Sequence, residues 1–488
     1  MAHATMTTSR LERGPEQSVQ AAVVLALRRQ IEALPTGAYL GSEAEILARL
    51  GVSSPTLRQA ARLLEQQQML SVARGKGGGY FGRRPDGGAT TRAAALYLDS
   101  VGTSMAQVRA ASLPLMIEAS RLAAQSTDAD RRASFATALS DLKSLPPDAD
   151  ARVVLTLDRI LVGELLNLAG NPAITLLLQV IYRLGRSAER RQRAFEAHAD
   201  WSAHWLQHAA RFGDAILERD PDLAVLLARR GSETTAGWLG KIEGALPETR
   251  GNENRFWRAI DGQASALQTT ADALRKEILA NPQGAFLGRE ETLADRYRVS
   301  RHTLRQAAVV MQHNGLLAIK RGVAGGYVGT RPDIGHVVRS ASTYLELNGA
   351  TLRDLMAAAG GLFAEACRLA AGNRDQDART ALHRLGEEMA SSADHLDADE
   401  PARALLKAEF HLVDAILGMA GSQPIALFVK CMYRYGSSIS QPVHDHPDRV
   451  VQWRDARLAL VAAILESDGE VSMIVSDRIR KLLASWLD

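Results

Sequence analysis

The sequence has few cysteines, no long apolar run and little net charge. Two cysteines among 488 residues are too few for the disulfide framework of a small secreted domain or for paired metal knuckles. No stretch approaches the roughly 20 apolar residues of a membrane helix, and the N-terminus lacks the apolar core of a secretory signal. Hydrophobic residues make up 46% of the chain and charged residues 23%, as in soluble globular proteins. We therefore expect a cytoplasmic protein that has no membrane partner.

One segment of the chain recurs 247 residues later. Residues 40–86 align with residues 287–333 without a gap, and 22 of these 47 positions are identical. The same offset continues beyond this block: RLAA at 121–124 aligns with RLAA at 368–371. Two copies indicate the tandem duplication of a domain pair rather than a solenoid of short repeats.

Each copy begins with the pattern of a helix-turn-helix followed by a hairpin. After a helix-period stretch, Val23–Leu34 in the first copy, a second helix is expected from about Glu43 to Leu50, capped by Gly41-Ser42. Gly51 opens a tight turn into a third helix that starts SPTLRQAARLL. The stretches MLSVARGKGGGYFG and LLAIKRGVAGGYVG each predict two strands around a glycine-rich turn, which is a wing.

The rest of each copy shows repeated apolar i, i+3, i+4 spacing without strand alternation, which predicts helices alone. The expected fold is mainly α, with two winged helix-turn-helix domains, each with a small β-hairpin wing, alternating with two all-α helical-bundle effector-type domains. We call these the first reader (15–88), the first helical domain (89–246), the second reader (257–333) and the second helical domain (334–488). A polar stretch at 247–255 joins the two modules.

Basic residues concentrate in the readers although the whole chain carries a formal net charge of only +3. From Ser54 to Arg84 there are six basic residues and one acidic residue, and from Arg301 to Arg331 there are five basic residues and no acidic residue. Basic side chains at the start of a third helix and at a wing tip are placed to bind phosphates and base edges. The pattern therefore favours double-stranded DNA as a partner.

The stretches LGSEAEILARLGVSSPTLRQA and LGREETLADRYRVSRHTLRQA resemble the winged domain of the GntR family of bacterial regulators. The arginine that the family has after its serine-glutamate pair is Ala44 in the first copy and Glu291 in the second. The arginine after valine-serine is Ser54 in the first copy and Arg301 in the second, so the first reader is expected to be the weaker. The resemblance implies that the following residues bind DNA: Ser53, Thr56, Arg58, Arg74, Gly75, Lys76, Ser300, Arg301, Thr303, Arg305, Arg321 and Gly322.

The helical domains resemble the effector domain of the FadR subfamily, many members of which hold a metal with one aspartate and three histidines beside a small carboxylate. The aspartate position falls on Asp158 and Glu409. The three histidine positions fall on Val162, Ala209 and Gly231 in the first domain and on Val413, Arg457 and Ile479 in the second. The arginine that often grips the effector falls on Ser112 and Ala359. We therefore expect no metal site and no other cofactor, and interpret His208 and His411 as ordinary helical histidines.

Two other classes of function compete with that of a DNA-binding transcriptional regulator. An enzyme is disfavoured, because the glycine run Gly77–Gly79 lies between strands and does not open a helix as a phosphate-binding loop does. A degenerate protein-interaction or anti-repressor module stays open, since Ala44, Ser54 and Glu291 depart from the family pattern. The retained Arg58 and Arg305 and the basic wings oppose it.

The two modules are expected to pack on each other as an intrachain pseudo-dimer about a pseudo-twofold axis, because a tether raises the concentration of each half around the other. Further self-association between chains and the existence and identity of a small-molecule effector are left open.

Overall fold

The protein is described from a computed structural model of the chain. The chain divides into two compact units. The first contains the residues through Thr90 together with Arg339–Gly349, and the second contains Thr91–Val338 and Ala350–Asp488. The linker stretch 247–255 and the wing-tip residues Arg74, Gly75, Lys76, Arg321 and Gly322 lie outside the described residues. The residues described are 19–32, 34, 37–66, 69–73, 78–82, 87–184, 201–243, 266–313, 315–320, 325–331, 334–391, 399–439 and 447–485.

The first reader and the first helical domain follow one another in the order predicted. The reader contains α1 (Val19–Glu32), β1 (Tyr39–Gly41), α2 (Glu43–Leu50), α3 (Ser54–Gln66), β2 (Leu70–Ala73) and β3 (Gly79–Gly82). The helical domain contains α4 (Gly88–Ser100), α5 (Met105–Gln125), α6 (Ala129–Lys143), α7 (Ala151–Ala169), α8 (Pro172–Leu184), α9 (Trp201–Leu217) and α10 (Pro221–Glu243).

The second half repeats this order of elements. Its reader contains α11 (Ala266–Ala280), β4 (Phe286–Gly288), α12 (Glu290–Tyr297), α13 (Arg301–His313), β5 (Leu317–Lys320) and β6 (Gly326–Gly329). Its helical domain contains α14 (Ile334–Leu347), α15 (Leu352–Ala371), α16 (Gln376–Ser391), α17 (Asp399–Ala420), α18 (Gln423–Ile439), α19 (Pro447–Leu465) and α20 (Gly469–Ser485). The predicted fold class is confirmed.

The second helix of the first reader has a cap at each end, at the positions where the sequence predicted a cap and a turn. Ser42 and Glu45 form a capping box, in which the Glu45 N–H donates to Ser42 Oγ at 3.3 Å and the Ser42 N–H donates to Glu45 Oε2 at 2.7 Å. Gly51 ends α2 at a φ of 64°, which glycine adopts without steric cost. The second reader has Arg289 and Arg298 at these two positions, and the Arg289 side chain makes no capping hydrogen bond.

Each reader has a three-stranded antiparallel sheet rather than the two-stranded hairpin predicted. The strand orders are β1-β3-β2 and β4-β6-β5. The additional strands, β1 and β4, are three residues long, too short for an alternating apolar pattern to be recognised. A Cβ added at Gly79 would lie 2.8 Å from the carbonyl oxygen of Gly41, and one at Gly326 would lie 2.6 Å from that of Gly288. This close approach of backbones explains the glycine before each wing tyrosine.

The connecting helix that follows each reader contacts the reader of the other half. Leu96 of α4 is buried in the apolar core of the second reader, and Asp99 of α4 lies 3.4 Å from Arg275 of α11. Within the other unit, Glu346 of α14 pairs with Arg28 of α1, and Leu347 packs against the core of the first reader. The two ion pairs join equivalent positions of the repeat.

The two helical domains pack through α5 and α15. A Cβ added at Gly361 of α15 would lie 2.9 Å from Pro114 Cβ of α5, so a small residue is needed at this contact. At the ends of these helices, the Gln107 side-chain amide donates to the Gly421 carbonyl oxygen at 2.7 Å. The Asn171 amide likewise donates to the Asp354 carbonyl oxygen at 3.0 Å. Each bond joins the start of one helix to the loop between the fourth and fifth helices of the other domain.

We predict that Asp99→Ala destabilises the protein much more than Glu346→Ala, although the two acids occupy equivalent positions. The Asp99 and Arg275 side chains are 10% and 8% exposed, and removal of one partner of such a buried pair costs about 3 kcal/mol. The Glu346 side chain is 51% exposed, and an exposed pair contributes about 0–1 kcal/mol. Urea unfolding of the two variants measures the difference, and equal losses would contradict the prediction.

Candidate nucleic-acid interface

The third helix of each reader begins with the same hydroxyl cap. Ser53 Oγ lies 2.8 Å from Thr56 Oγ1 and accepts from the Thr56 N–H at 3.4 Å. Ser300 makes the same contacts with Thr303, at 2.8 Å and 3.1 Å. These four predicted DNA-binding residues are therefore brought together in pairs that cap the third helices.

Buried leucines fix which face of each third helix is turned outward. Leu57 and Leu304 are fully buried in the reader cores, together with the alanines that follow one turn later. The neighbouring Arg58 and Arg305 are rotated away from this buried face and are exposed. The structure thus places both predicted arginines on an accessible helix surface at equivalent positions.

Each of these arginines is held by a glutamate from the preceding helix. Arg58 Nε donates to Glu43 Oε1 at 3.0 Å, and Arg305 Nε donates to Glu290 Oε2 at 2.9 Å. Ser54 Oγ also donates to Glu43, and these hydrogen bonds lower the pKa of the Glu43 carboxyl. Neither glutamate was predicted from the sequence as part of the site. Their signal was the identical spacing of 15 residues between glutamate and arginine in the two copies.

The second reader has one further pair. Arg301 is the first residue of α13, and its Nη2 lies 2.7 Å from Oε1 of Glu291. The first reader has Ala44 and Ser54 at these positions, so it has neither charge of this pair.

The second helical domain contains a buried ion pair at two of the positions that the resemblance assigns to metal ligands. Arg457 Nη2 donates to Glu409 Oε1 at 2.5 Å, and Tyr433 donates its hydroxyl proton to the same oxygen at 3.2 Å. The guanidinium also lies 5.3 Å from the Phe363 ring centre and 5.7 Å from that of Trp453. Burial raises the pKa of the Glu409 carboxyl against the opposing effect of Arg457.

The equivalent region of the first helical domain has different contacts. Trp205 Nε1 donates to Asp158 Oδ1 at 3.0 Å, and the His208 ring lies 5.6 Å from the Trp205 ring. A Cβ added at Gly231 would lie 2.4 Å from His208 Nε2, so the imidazole occupies the space beside the glycine. Burial, together with the nearby Arg211, lowers the pKa of His208 and so favours the neutral ring.

Three features of the described residues bear on other kinds of site. They include no group of three or more His, Cys, Asp or Glu side chains that could hold a metal ion. Burial raises the pKa of both cysteine thiols, Cys367 and Cys431, to about 12, so neither is a thiolate nucleophile near neutral pH. In the same described part of the chain, no helix combines the length and apolar character needed to cross a bilayer.

Comparison with protein-family models gives matches in three segments. The model described as "Bacterial regulatory proteins, gntR family" matches residues 19–78, which lie in the first reader. The FCD domain model matches residues 108–231 and 354–475, and together these segments cover just over half of the chain. The chain belongs to the FCD-domain proteins of the gntR family. It is a DNA-binding transcriptional regulator by this membership.

Solved structures with detectable similarity include other gntR-type proteins. A Streptococcus agalactiae GntR is 17% identical, with 45% of this chain and 99% of that chain covered and a TM-score of 0.34. E. coli McbR/YncC is 16% identical, with coverages of 46% and 98% and a TM-score of 0.25. A GntR family member from Pseudomonas syringae pv. tomato is 20% identical, with coverages of 48% and 91% and a TM-score of 0.21. No curated protein matches the chain.

Within this FCD-domain protein, we predict that Glu409→Ala is strongly destabilising whereas a double replacement is not. The single change leaves the Arg457 guanidinium buried without its carboxylate, which costs about 3–5 kcal/mol. Replacing both Glu409 and Arg457 by leucine removes the two charges together and should restore most of that loss. Asp158→Ala in the first domain is the matched control and should cost only about 1 kcal/mol, because its hydrogen bond comes from a neutral indole.

Guanidinium chloride unfolding of the three variants provides the measurement. A double variant as unstable as Glu409→Ala would contradict the prediction.

Proposed function

We propose that this protein is a sequence-specific transcriptional regulator of bacterial type that binds double-stranded DNA in the cytoplasm with both of its readers. The observation that carries the proposal is the equivalent presentation of Arg58 and Arg305. Each lies on the exposed face of a third helix. That helix begins with a serine-threonine cap and packs against the reader core through a buried leucine. Such a helix can enter the major groove, where arginine donates two hydrogen bonds to guanine.

We further propose that the two modules, with the domain bounds given above, form an intrachain pseudo-dimer. In a twofold interface, residue i of one half contacts residue j of the other, and j contacts i in return. The Gln107–Gly421 and Asp354–Asn171 hydrogen bonds approach this relation: Gln107 and Asp354 are both the third residue of their helices, and Gly421 and Asn171 differ by one position in equivalent loops. The pairs Asp99–Arg275 and Glu346–Arg28 are reciprocal in the same way.

The FCD matches also support a small-molecule effector as a partner of a helical domain. The charges differ between the two domains at the positions compared above. The buried pair of Glu409 and Arg457 belongs to the second domain, whereas Asp158 of the first domain accepts from the neutral Trp205. This difference supports unequal ligand responses in the two halves.

The proposed DNA binding is tested by titrating the full chain against random 30-base-pair duplex DNA at several salt concentrations. Release of counterions lowers the logarithm of the association constant by about 0.9 per neutralised phosphate for each unit of log salt. A steep negative slope supports the proposal. The absence of binding, or a flat slope, would instead favour the alternative of a degenerate protein-interaction or anti-repressor module.

We predict that both reader arginines contribute to specific binding and that Arg305→Ala is the more damaging change, because the second reader retains Arg301 where the first has Ser54. Each loss should cost about 1–3 kcal/mol on an operator recovered by genome-wide pull-down. Gel shifts give the affinities, and Arg58→Lys and Arg305→Lys, which keep the charge but lose the two-pronged donor, are the controls. A roughly tenfold greater loss for Arg58→Ala, about 1.4 kcal/mol, would reverse the ranking.

The pseudo-dimer predicts that one chain protects two adjacent and unlike half-sites. Light scattering of the free protein should give the mass of a single 52.7-kDa chain, and footprinting should show an asymmetric operator. An obligate two-chain particle that protects a perfect palindrome would instead indicate that each module pairs with its counterpart in a second chain.

A further inference from the structure

The second reader has an acidic side chain beside its third helix, α13, at a position where the first reader has Ala44. Glu291 is the second residue of α12, and its carboxylate lies 2.7 Å from the guanidinium of Arg301 at the start of α13. Both side chains are solvent-accessible, at 70% and 61% exposure. The pair therefore lies on the surface that we propose to face DNA.

The shared pairs of the two readers do not explain any difference between them. Glu43 holds Arg58 in the first reader as Glu290 holds Arg305 in the second, with closely similar distances of 3.0 Å and 2.9 Å. The two readers do differ in charge at positions 44 and 54 of the first reader, which correspond to positions 291 and 301 of the second. There the first reader has an alanine and a serine, and the second has a glutamate and an arginine.

Arg301 would add one phosphate-binding charge to the second reader if it were free. Glu291 neutralises that charge locally, so each reader has a net charge of zero at this pair of positions. An exposed ion pair contributes only about 0–1 kcal/mol, so a well-placed acceptor on DNA can displace the carboxylate. A phosphate that is held loosely in a non-specific complex interacts less strongly with Arg301, although the same ion pair to Glu291 must be broken.

We propose that Glu291 limits non-specific DNA binding by the second reader by holding Arg301. This inference rests on the proposed DNA-binding function. Specificity is a difference between two affinities, and an element that weakens the wrong complex increases it. Glu291 is then a specificity-determining residue that acts through Arg301, and the first reader, without either group, has no such element at these positions.

The probe is a random-sequence 30-base-pair duplex, titrated with the full chain by fluorescence anisotropy at several salt concentrations. Glu291→Ala should bind this duplex about threefold to tenfold more tightly at 0.1 M salt, because one additional phosphate contact steepens the salt slope by about 0.9. The control is Glu387→Ala. Glu387 is 68% exposed and forms an exposed pair with His383, and its removal changes the net charge equally at a site on α16. It should leave the affinity unchanged.

Two further comparisons separate action through Arg301 from direct repulsion of DNA by the carboxylate. In an Arg301→Ala background, Glu291→Ala should no longer tighten binding beyond the Glu387→Ala control. In the first reader, Ser54→Arg should tighten binding to the random duplex, and adding Ala44→Glu should cancel that gain. Circular dichroism melting should show unchanged stability for Glu291→Ala and Arg301→Ala, since these side chains are 70% and 61% exposed at the reader surface.

The inference is overturned if Glu291→Ala binds the random duplex no more tightly than Glu387→Ala. It is also overturned if Glu291→Ala weakens binding, or if Glu291→Ala tightens binding as much in the Arg301→Ala background as it does in the wild-type protein. In these outcomes the wild-type protein still binds with a steep salt slope, and the proposed function stands. If neither the wild type nor Glu291→Ala binds the duplex, the proposed function fails and this inference fails with it.

Discussion

The contact between α5 and α15 is the constraint on which the arrangement of the two helical domains depends. Gly361 lies so close to Pro114 that a methyl group could not be added without movement. The hydrogen bonds at the two ends of the contact use side-chain amides, Gln107 and Asn171, to satisfy backbone carbonyl oxygens of the opposite domain. Because these donors are specific in direction as well as distance, they fix the register of the two helices in a way that apolar packing alone would not.

The connecting helices extend this dependence to the readers. Leu96 contributes to the apolar core of the second reader although it lies more than 160 residues before that reader begins. The core of a small winged domain is only about a dozen side chains, so the loss of one of them is felt throughout the domain. The second reader is therefore a product of both halves of the chain, and its stability cannot be assigned to its own residues alone.

Much of the readers could be predicted from the sequence because their local rules are strong. Ser42, Gly51 and the glycine-rich hairpins specify caps and turns through short-range chemistry, and the predicted bounds of the second helix, Glu43–Leu50, are those observed. The charge pairs were not predicted, because the partner of Arg305 is set by the angle between two helices rather than by a periodic pattern. The crossing of the connecting helices was also missed, since no local pattern in α4 distinguishes the reader of its own half from the other.

In the helical domains, the positions of the FadR-type metal ligands could be recognised in the sequence, although the residues at those positions have different chemistry. The resemblance placed Glu409 and Arg457 at ligand positions of one site, and the structure brings these two side chains into contact. A guanidinium is a permanent cation attached to the chain, so its charge does not depend on the concentration of any ion in solution. The aspartate of the first domain accepts from an indole instead. The second half has the Glu291–Arg301 pair in its reader, where the first half has Ala44 and Ser54. It has the Glu409–Arg457 pair in its helical domain, where the first half has Asp158 and Ala209. The two halves therefore differ in charge at equivalent positions of both kinds of domain, so a ligand or a DNA half-site meets different chemistry in each.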